Sequence, residues 1–197
     1  MVTVRTFIAN ELSEDLLEAL GLLQDRLRSQ MPRGTVRWVR PEGIHLTLKF
    51  LGDTPVDQVD QVKAALAEAA AKVGPFRVTA RGLGCFPNTR RPRVIWVGLE
   101  EPTGALRRLR DAVEAHVAPL GFPTEGRSFN PHLTLGRVQR GASSSEVREI
   151  GQRVAASSTG LVAEMVVLAV SYIKSDLRPS GAVYTTLLEA ALKEDER

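Results

Sequence analysis

The sequence predicts an α+β fold with sheets inside, helices outside, and a second half that replays the first. Three observations carry this. Segments with the period-two alternation of strands are interleaved with segments whose apolar residues recur at helical spacing. The strand–helix–strand order resumes near residue 93. The tetrapeptide His45-Leu46-Thr47-Leu48 returns as His132-Leu133-Thr134-Leu135. The two halves lack the period-exact similarity of a solenoid, and residues 1–197 are expected to form one domain.

In chain order, Val2 to Ala9 alternates as a strand, and Ser13 caps an amphipathic helix carrying Leu16, Leu17, Leu20, Leu23 and Leu27. Met31-Pro32-Arg33-Gly34 ends it, ahead of a short strand from Val36 to Val39. Pro41-Glu42-Gly43 turns the chain into a strand from Ile44 to Leu51, and Val56 to Val73 reads as an Ala-rich helix. The Gly/Pro-rich stretch from Gly74 to Pro92 holds two short strands, Phe76 to Ala80 and Gly82 to Phe86. The second half reads as a strand from Arg93 to Leu99, a helix capped by Thr103 and running to Pro119, and a loop from Phe122 to Asn130. It continues with a strand from His132 to Val138, a helix opened by Ser143, one strand from Leu161 to Tyr172 and another from Val183 to Leu188. The tail from Lys193 to Arg197 is expected to fray.

Composition excludes several classes. At 43% hydrophobic and 25% charged the chain is neither disordered nor fibrous, and no apolar run approaches the ~20 residues of a membrane span. The N-terminal residues lack the pattern of a signal peptide, so the expected location is the cytoplasm. One cysteine, Cys85, cannot build a disulfide framework or a cysteine-based zinc cluster. The net charge of +3 is too small to demand a nucleic-acid partner. Of the 26 basic residues 21 are arginine, which suits bidentate phosphate contacts but also follows from genomic base composition.

The chemistry lies in the doubled tetrapeptide. Composition makes any histidine precede Leu-Thr-Leu with a chance of about 0.001, yet two of only three histidines do. Along a strand, residues i and i+2 share a face. His45 with Thr47, and His132 with Thr134, therefore point one way, while Leu46, Leu48, Leu133 and Leu135 point into the apolar layer. Two such faces across a cleft suit phosphoryl transfer. A neutral imidazole takes a proton from the attacking hydroxyl or water, and an imidazolium gives one to the leaving oxygen. Threonine hydroxyls donate to non-bridging oxygens. The site needs no metal and no other cofactor, and no carboxylate lies within five positions of His132 to complete a metal set. The histidines are expected on central strands of two different lobes.

His45-Leu46-Thr47-Leu48-Lys49-Phe50-Leu51-Gly52 and Asn130-Pro131-His132-Leu133-Thr134-Leu135-Gly136-Arg137 resemble the paired motifs of the 2H phosphoesterases, and within them those of the RNA 2′,3′-cyclic phosphodiesterases, also called 2′-5′ RNA ligases. Arg5 to Ala9, Trp38 to Glu42, Arg93 to Trp96 and Val183-Tyr184 extend the similarity over the whole chain. The resemblance implies two pseudo-symmetric lobes, with two antiparallel sheets lining a central groove. It implies hydrolysis of a terminal 2′,3′-cyclic phosphate of RNA to a 2′-phosphate, with reverse 2′-5′ ligation to a 5′-hydroxyl; separately, the chain is expected to be a monomer. Residue by residue, it makes His45 the proton donor, His132 the acceptor, Thr47 and Thr134 the phosphate holders, and Arg137 a substrate-binding residue. Strict parity opposes that role for Arg137, which then requires the strand to end or bulge first. Asn10 stands where the family pattern leads one to expect an apolar residue.

Two alternatives remain: a cyclic phosphodiesterase for nucleotide-sized substrates, and a nucleotide- or RNA-binding module without turnover. Elsewhere, His116 reads as a half-buried structural residue and Cys85 as a buried small hydrophobe. Parity sends Phe50 to the core with Leu46 and Leu48, and sets Lys49 on the His45 face, as a phosphate attractor or a solvated edge. Arg90-Arg91-Pro92-Arg93 and Arg107-Arg108 read as solvated surface, with Arg90 and Arg91 better placed for binding because they sit on a loop.

Overall fold

The computed structural model describes residues 2–157, 159–178 and 181–193; the tail 194–197 lies outside the described residues. Among the described residues, nine strands and four helices follow in the order β1 (Thr3–Asn10), α1 (Glu14–Gln30), β2 (Val36–Trp38), β3 (Leu46–Pro55), α2 (Val59–Ala70), β4 (Phe76–Phe86), β5 (Val94–Glu100), α3 (Ala105–Val117), β6 (His132–Val138), α4 (Ser144–Ala156), β7 (Leu161–Val167), β8 (Ala169–Arg178) and β9 (Gly181–Ala191). They form two antiparallel sheets, one in the order β3-β1-β8-β9 and one in the order β2-β6-β5-β4-β7. Both halves of the chain contribute strands to both sheets.

The helices are crossed in the same way. α2 and α3 contact strands of the four-stranded sheet, whereas α1 and α4 contact the five-stranded one. Each motif strand is thereby pinned by a helix from the other half. Gln24 of α1, fully buried, donates from Nε2 to the carbonyls of Val39 (2.7 Å) and Leu135 (2.8 Å). Glu114 of α3, also buried, pairs with Lys49 of β3 at 2.7 Å.

Local signals hold where they are local. Ser13 accepts from Leu16 N–H at the start of α1, and Ser143 forms a capping box with Glu146 at the start of α4. Leu16, Leu20, Leu23 and Leu27 form the buried stripe of α1. The five buried residues ending β1 instead fill both faces. Ile8 joins the helix-covered core, while Phe7 and Ala9 form a separate small cluster with Ile173.

Several boundaries differ from the sequence reading. Leu161 to Tyr172 is not one strand: β7 and β8 belong to different sheets, and Leu168, 62% exposed, is the residue between them. An uninterrupted apolar run carries no mark of where a chain changes sheets. The two expected short strands are one, β4, whose pairing with β5 slips at Gly82, at φ +70°. The second helix opens with a 3-10 turn at Val56–Gln58 before α2 begins. Gly104, not Thr103, is the N-cap of α3.

Candidate active site

His45 ends the approach to β3, just after a 3-10 turn at Pro41–Gly43. Its ring stacks on Phe7 of β1 at 4.6 Å and 26°, and meets Tyr184 of β9 edge-on at 5.2 Å. Burial lowers its pKa to about 4, against a hydrogen bond with the Gly43 backbone and the charge of Glu11, which both raise it. Thr47 lies opposite Ala9 of β1, on the face that carries Phe7.

His132 opens β6. Its Nδ1 donates to the Asn130 carbonyl at 2.7 Å, which leaves Nε2 as the ring nitrogen open to a ligand. His132 is thus tied to the backbone two residues upstream, where His45 has the Gly43 backbone as its neighbour at the same offset. The His132 ring meets Phe86 edge-on at 4.8 Å between centroids, with Trp96 at 6.4 Å. Trp96 lies opposite Thr134 on one side and Gly84 on the other. A Cβ at Gly84 would sit 2.2 Å from the indole, so glycine is required there for the ring to lie across β4.

The motif strands come from different sheets, and β3 and β6 approach within 8 Å at Cα. They are not both central: β3 is an edge strand, and β6 lies next to the edge strand β2. Leu46, Leu48, Leu133 and Leu135 are buried as parity predicts.

Beyond the second leucine, parity breaks in both copies. Along β1, Ala9 and Ile8 face Thr47 and Lys49, so Leu48 is an extra residue, and the alternation flips. Lys49 therefore turns into the helix-covered core and Phe50 turns out, 67% exposed and 6.0 Å from Phe7. Both expectations for this pair are overturned by that one bulge. On β5, Trp96 and Ile95 face Thr134 and Gly136, so Leu135 is the extra residue. Arg137 then falls opposite Val94 and rejoins the face of His132 and Thr134, as its assigned role requires.

Lys49 is an anchor. It donates to Glu114 Oε2 and to the Pro123 carbonyl. Glu114 Oε1 also accepts from the Glu125 backbone N–H (3.4 Å) and pairs with Arg110 at 3.3 Å. Arg110 in turn donates to the Glu125 carbonyl and lies 5.9 Å from the Phe129 ring. This network grips the loop that leads from α3 to His132.

The remaining candidates stay apart from the groove chemistry. His116 Nδ1 donates to the Ala112 carbonyl within α3. Cys85 is buried, which raises its pKa to about 11. Asn10 is buried and donates to the Ala169 carbonyl at 2.7 Å. Arg90 and Arg91 are exposed, with their backbone N–H groups bonded to Asn88 Oδ1. A depression of about 430 Å³, walled by Arg28, Met31, Val36 and Trp38 among others, includes no residue of either motif. Among the described residues, no helix is long and apolar enough to cross a membrane.

Sequence reasoning gave no role to the rings that surround the imidazoles, although three of them lie in segments that carry the family similarity. Phe7, Tyr184, Phe86 and Trp96 come from four strands, and only the pairing register brings them to the histidines. It also missed Arg37, directly opposite Arg137 on β2.

Comparisons with known proteins agree on one family. A family model described as LigT-like phosphoesterase matches residues 11–96 and again 97–184. An RNA 2′,3′-cyclic phosphodiesterase of Methanothermobacter thermautotrophicus is 33% identical over 184 residues, 93% of this chain and 96% of that protein. The crystal structure of TT0787 of Thermus thermophilus superposes with a TM-score of 0.79 at 30% identity, covering 98% of this chain and all of that one. Escherichia coli LigT complexed with 3′-AMP shares the fold, with a TM-score of 0.73 at 23% identity over 98% of this chain and 99% of that one. With two tandem matches spanning nearly all its length, this chain belongs to the LigT-like phosphoesterases.

Proposed function

We propose that this protein hydrolyses the terminal 2′,3′-cyclic phosphate of RNA to a 2′-phosphate, using His45 and His132 as an acid–base pair. The observation that carries this reading is the doubled His-x-Thr, one copy at the start of a strand in each of the two sheets, with His132 Nδ1 held by the Asn130 carbonyl and its Nε2 left for the proton. Relatives named RNA 2′,3′-cyclic phosphodiesterase support the substrate class.

In this mechanism His132 accepts a proton from water as its oxygen attacks phosphorus. The bond from phosphorus to O3′ breaks, and His45 protonates O3′ as it leaves. The product is a 2′-phosphomonoester beside a free 3′-hydroxyl. Thr47 and Thr134 donate to the non-bridging oxygens, where charge is concentrated. Arg137, on the same face, offers the substrate's phosphate backbone a cationic hydrogen bond beyond the reacting phosphorus, and the exposed ring of Phe50 offers a stacking face for a base. A 5′-hydroxyl attacking in place of water breaks the same bond from phosphorus to O3′ and leaves a 2′-5′ phosphodiester, which is ligation.

A second assignment of roles draws support from the burial of His45. With a pKa of about 4 its imidazole is neutral near pH 7 in the free protein, which suits an acceptor, with His132 as donor. The donor role instead requires the bound phosphate's negative charge to restore the proton. The pH dependence of kcat/KM separates the two, because it reports the free enzyme. A His45 donor makes activity fall as pH rises through its pKa; a His45 acceptor makes it rise.

The test of the function is an oligonucleotide ending in a 2′,3′-cyclic phosphate, assayed with EDTA present, with the product identified. Turnover to a 2′-phosphate is the expected result. Activity that vanishes on chelation removes the two-histidine mechanism, and a 3′-phosphate product removes the bond assignment.

A further inference from the structure

We propose that Arg37 is a second phosphate hook, which together with Arg137 binds the phosphodiester next to the terminal cyclic phosphate and so selects oligonucleotides over single nucleotides. The inference rests on the reading of the groove given above.

Register places the residue. β2 is the edge strand beside β6, and Arg37 lies directly opposite Arg137, which lies opposite Val94 on the other side. Residues directly opposite in an antiparallel pair share a face. The flanking residues identify that face. Val36 is buried, and a Cβ on Gly136 would meet Val36 Cγ1 at 2.8 Å and Trp38 Cε3 at 3.2 Å. Trp38 also carries Arg28 of α1 above its ring, at 5.7 Å. Val36, Trp38 and Gly136 therefore face the helices, and Arg37 and Arg137 face the groove with Thr134 and His132.

Charge gives the residue a task. Like charges directly opposite on neighbouring strands are destabilising, and both side chains are exposed. Among the described residues neither has an ion-pair partner, although ten other pairs satisfy cations elsewhere. An anion between two guanidinium forks relieves the repulsion, and phosphate suits their bidentate geometry.

Spacing selects which phosphate. On β5 the partner of Thr134 is Trp96 and the partner of Arg137 is Val94, one pleat repeat further on. That repeat is ~6.8 Å, comparable to the separation of successive phosphates along an extended nucleic-acid strand. With the cyclic phosphate at the threonines, the row of Arg137 and Arg37 falls at the next phosphate. Arg37, on the edge strand, is the outer of the two.

The experiment compares two substrates in wild type and Arg37→Gln. One is a nucleoside 2′,3′-cyclic phosphate with a free 5′-hydroxyl; the other is a dinucleotide ending in the same cyclic phosphate. The variant is expected to lose roughly 10-fold or more in kcat/KM on the dinucleotide, the scale of one charge-assisted hydrogen bond, and under about 2-fold on the nucleoside. The salt dependence of dinucleotide binding should weaken by about 0.7 in log–log slope, one phosphate contact on a single strand. Arg37→Lys, which keeps the charge but not the fork, should fall between. Equal losses on both substrates, or none on the dinucleotide, overturn the proposal. If the wild type turns over neither substrate, the proposed function fails, and calorimetric binding of a dinucleotide 2′-phosphate against a nucleoside 2′-phosphate still reads the subsite. Weaker dinucleotide binding in Arg37→Gln then supports the hook, and unchanged binding rejects it.

Discussion

Phe50 and Arg137 hold the same place in the two copies of the motif, five residues after His45 and His132, and each rejoins the face of its histidine through a bulge at the preceding leucine. One copy delivers an aromatic face there, and the other a guanidinium. The residues just before them differ as sharply. Lys49 turns into the core to pair with Glu114, whereas Gly136 leaves room for Val36 and Trp38. The histidines differ too: His45 is enclosed by Phe7 and Tyr184 and its pKa falls to about 4, while His132 is bounded by Phe86 and Trp96. A repeated tetrapeptide therefore preserves a scaffold and leaves its environment free to specialise. An acid–base pair needs that asymmetry, because its two members must hold opposite protonation states in one turnover.

The largest effects should come from breaking the pair. His45→Ala and His132→Ala are each expected to lower kcat/KM by about 10²–10⁴-fold, measured on the oligonucleotide substrate across the pH range. Each should also erase a different limb of the pH profile. A loss below ~10-fold in either would make that copy dispensable to the chemistry.

Next comes the buried lysine that only one copy has. Lys49→Met leaves the buried Glu114 carboxylate with Arg110 as its one remaining cation and the Pro123 carbonyl without its donor, and should cost roughly 3 kcal/mol in urea unfolding. Lys49→Met combined with Glu114→Leu should recover part of that, since the buried carboxylate is gone and Arg110 keeps Asp111 as its partner. A double variant as unstable as the single one would mean that packing, not charge, holds the loop before His132.

Phe50→Ala tests the fifth position against Arg137. Stacking on one base contributes ~1–3 kcal/mol, so KM for an oligonucleotide should rise about 10-fold with kcat little changed. Because the ring is exposed, stability should stay within about 0.5 kcal/mol of wild type. Loss of kcat with KM unchanged would place Phe50 in support of His45 instead.

The smallest expected effect reads the enclosure of His45 directly. Its pKa is about 4 folded and near the ordinary 6.5 unfolded. The unfolded chain therefore binds more protons between those values, and stability rises with pH across that window. His45→Gln should flatten the rise by on the order of 1–2 kcal/mol between pH 4.5 and 7. An unchanged slope would show the ring to be as open as an ordinary surface histidine.

What could be read from the residues alone was whatever repeats locally. The doubled tetrapeptide, the burial of Leu46, Leu48, Leu133 and Leu135, and the serine caps of α1 and α4 follow from period and side-chain chemistry within a few residues. The α+β class and its two antiparallel sheets followed from the motifs and the resemblance they carry. The orientation of Lys49, Phe50 and Arg137 did not, although they stand next to the motif. A bulge is a mismatch between two strands, set by where β1 and β5 pair, and one inserted residue reverses every side chain beyond it. The enclosure of His45 is non-local in the same sense, since Phe7 and Tyr184 lie far from it in the chain. Alternation is a property of one strand and was legible. Register, burial and the meeting of Arg37 with Arg137 are properties of strand pairs, and only the tertiary structure decided them.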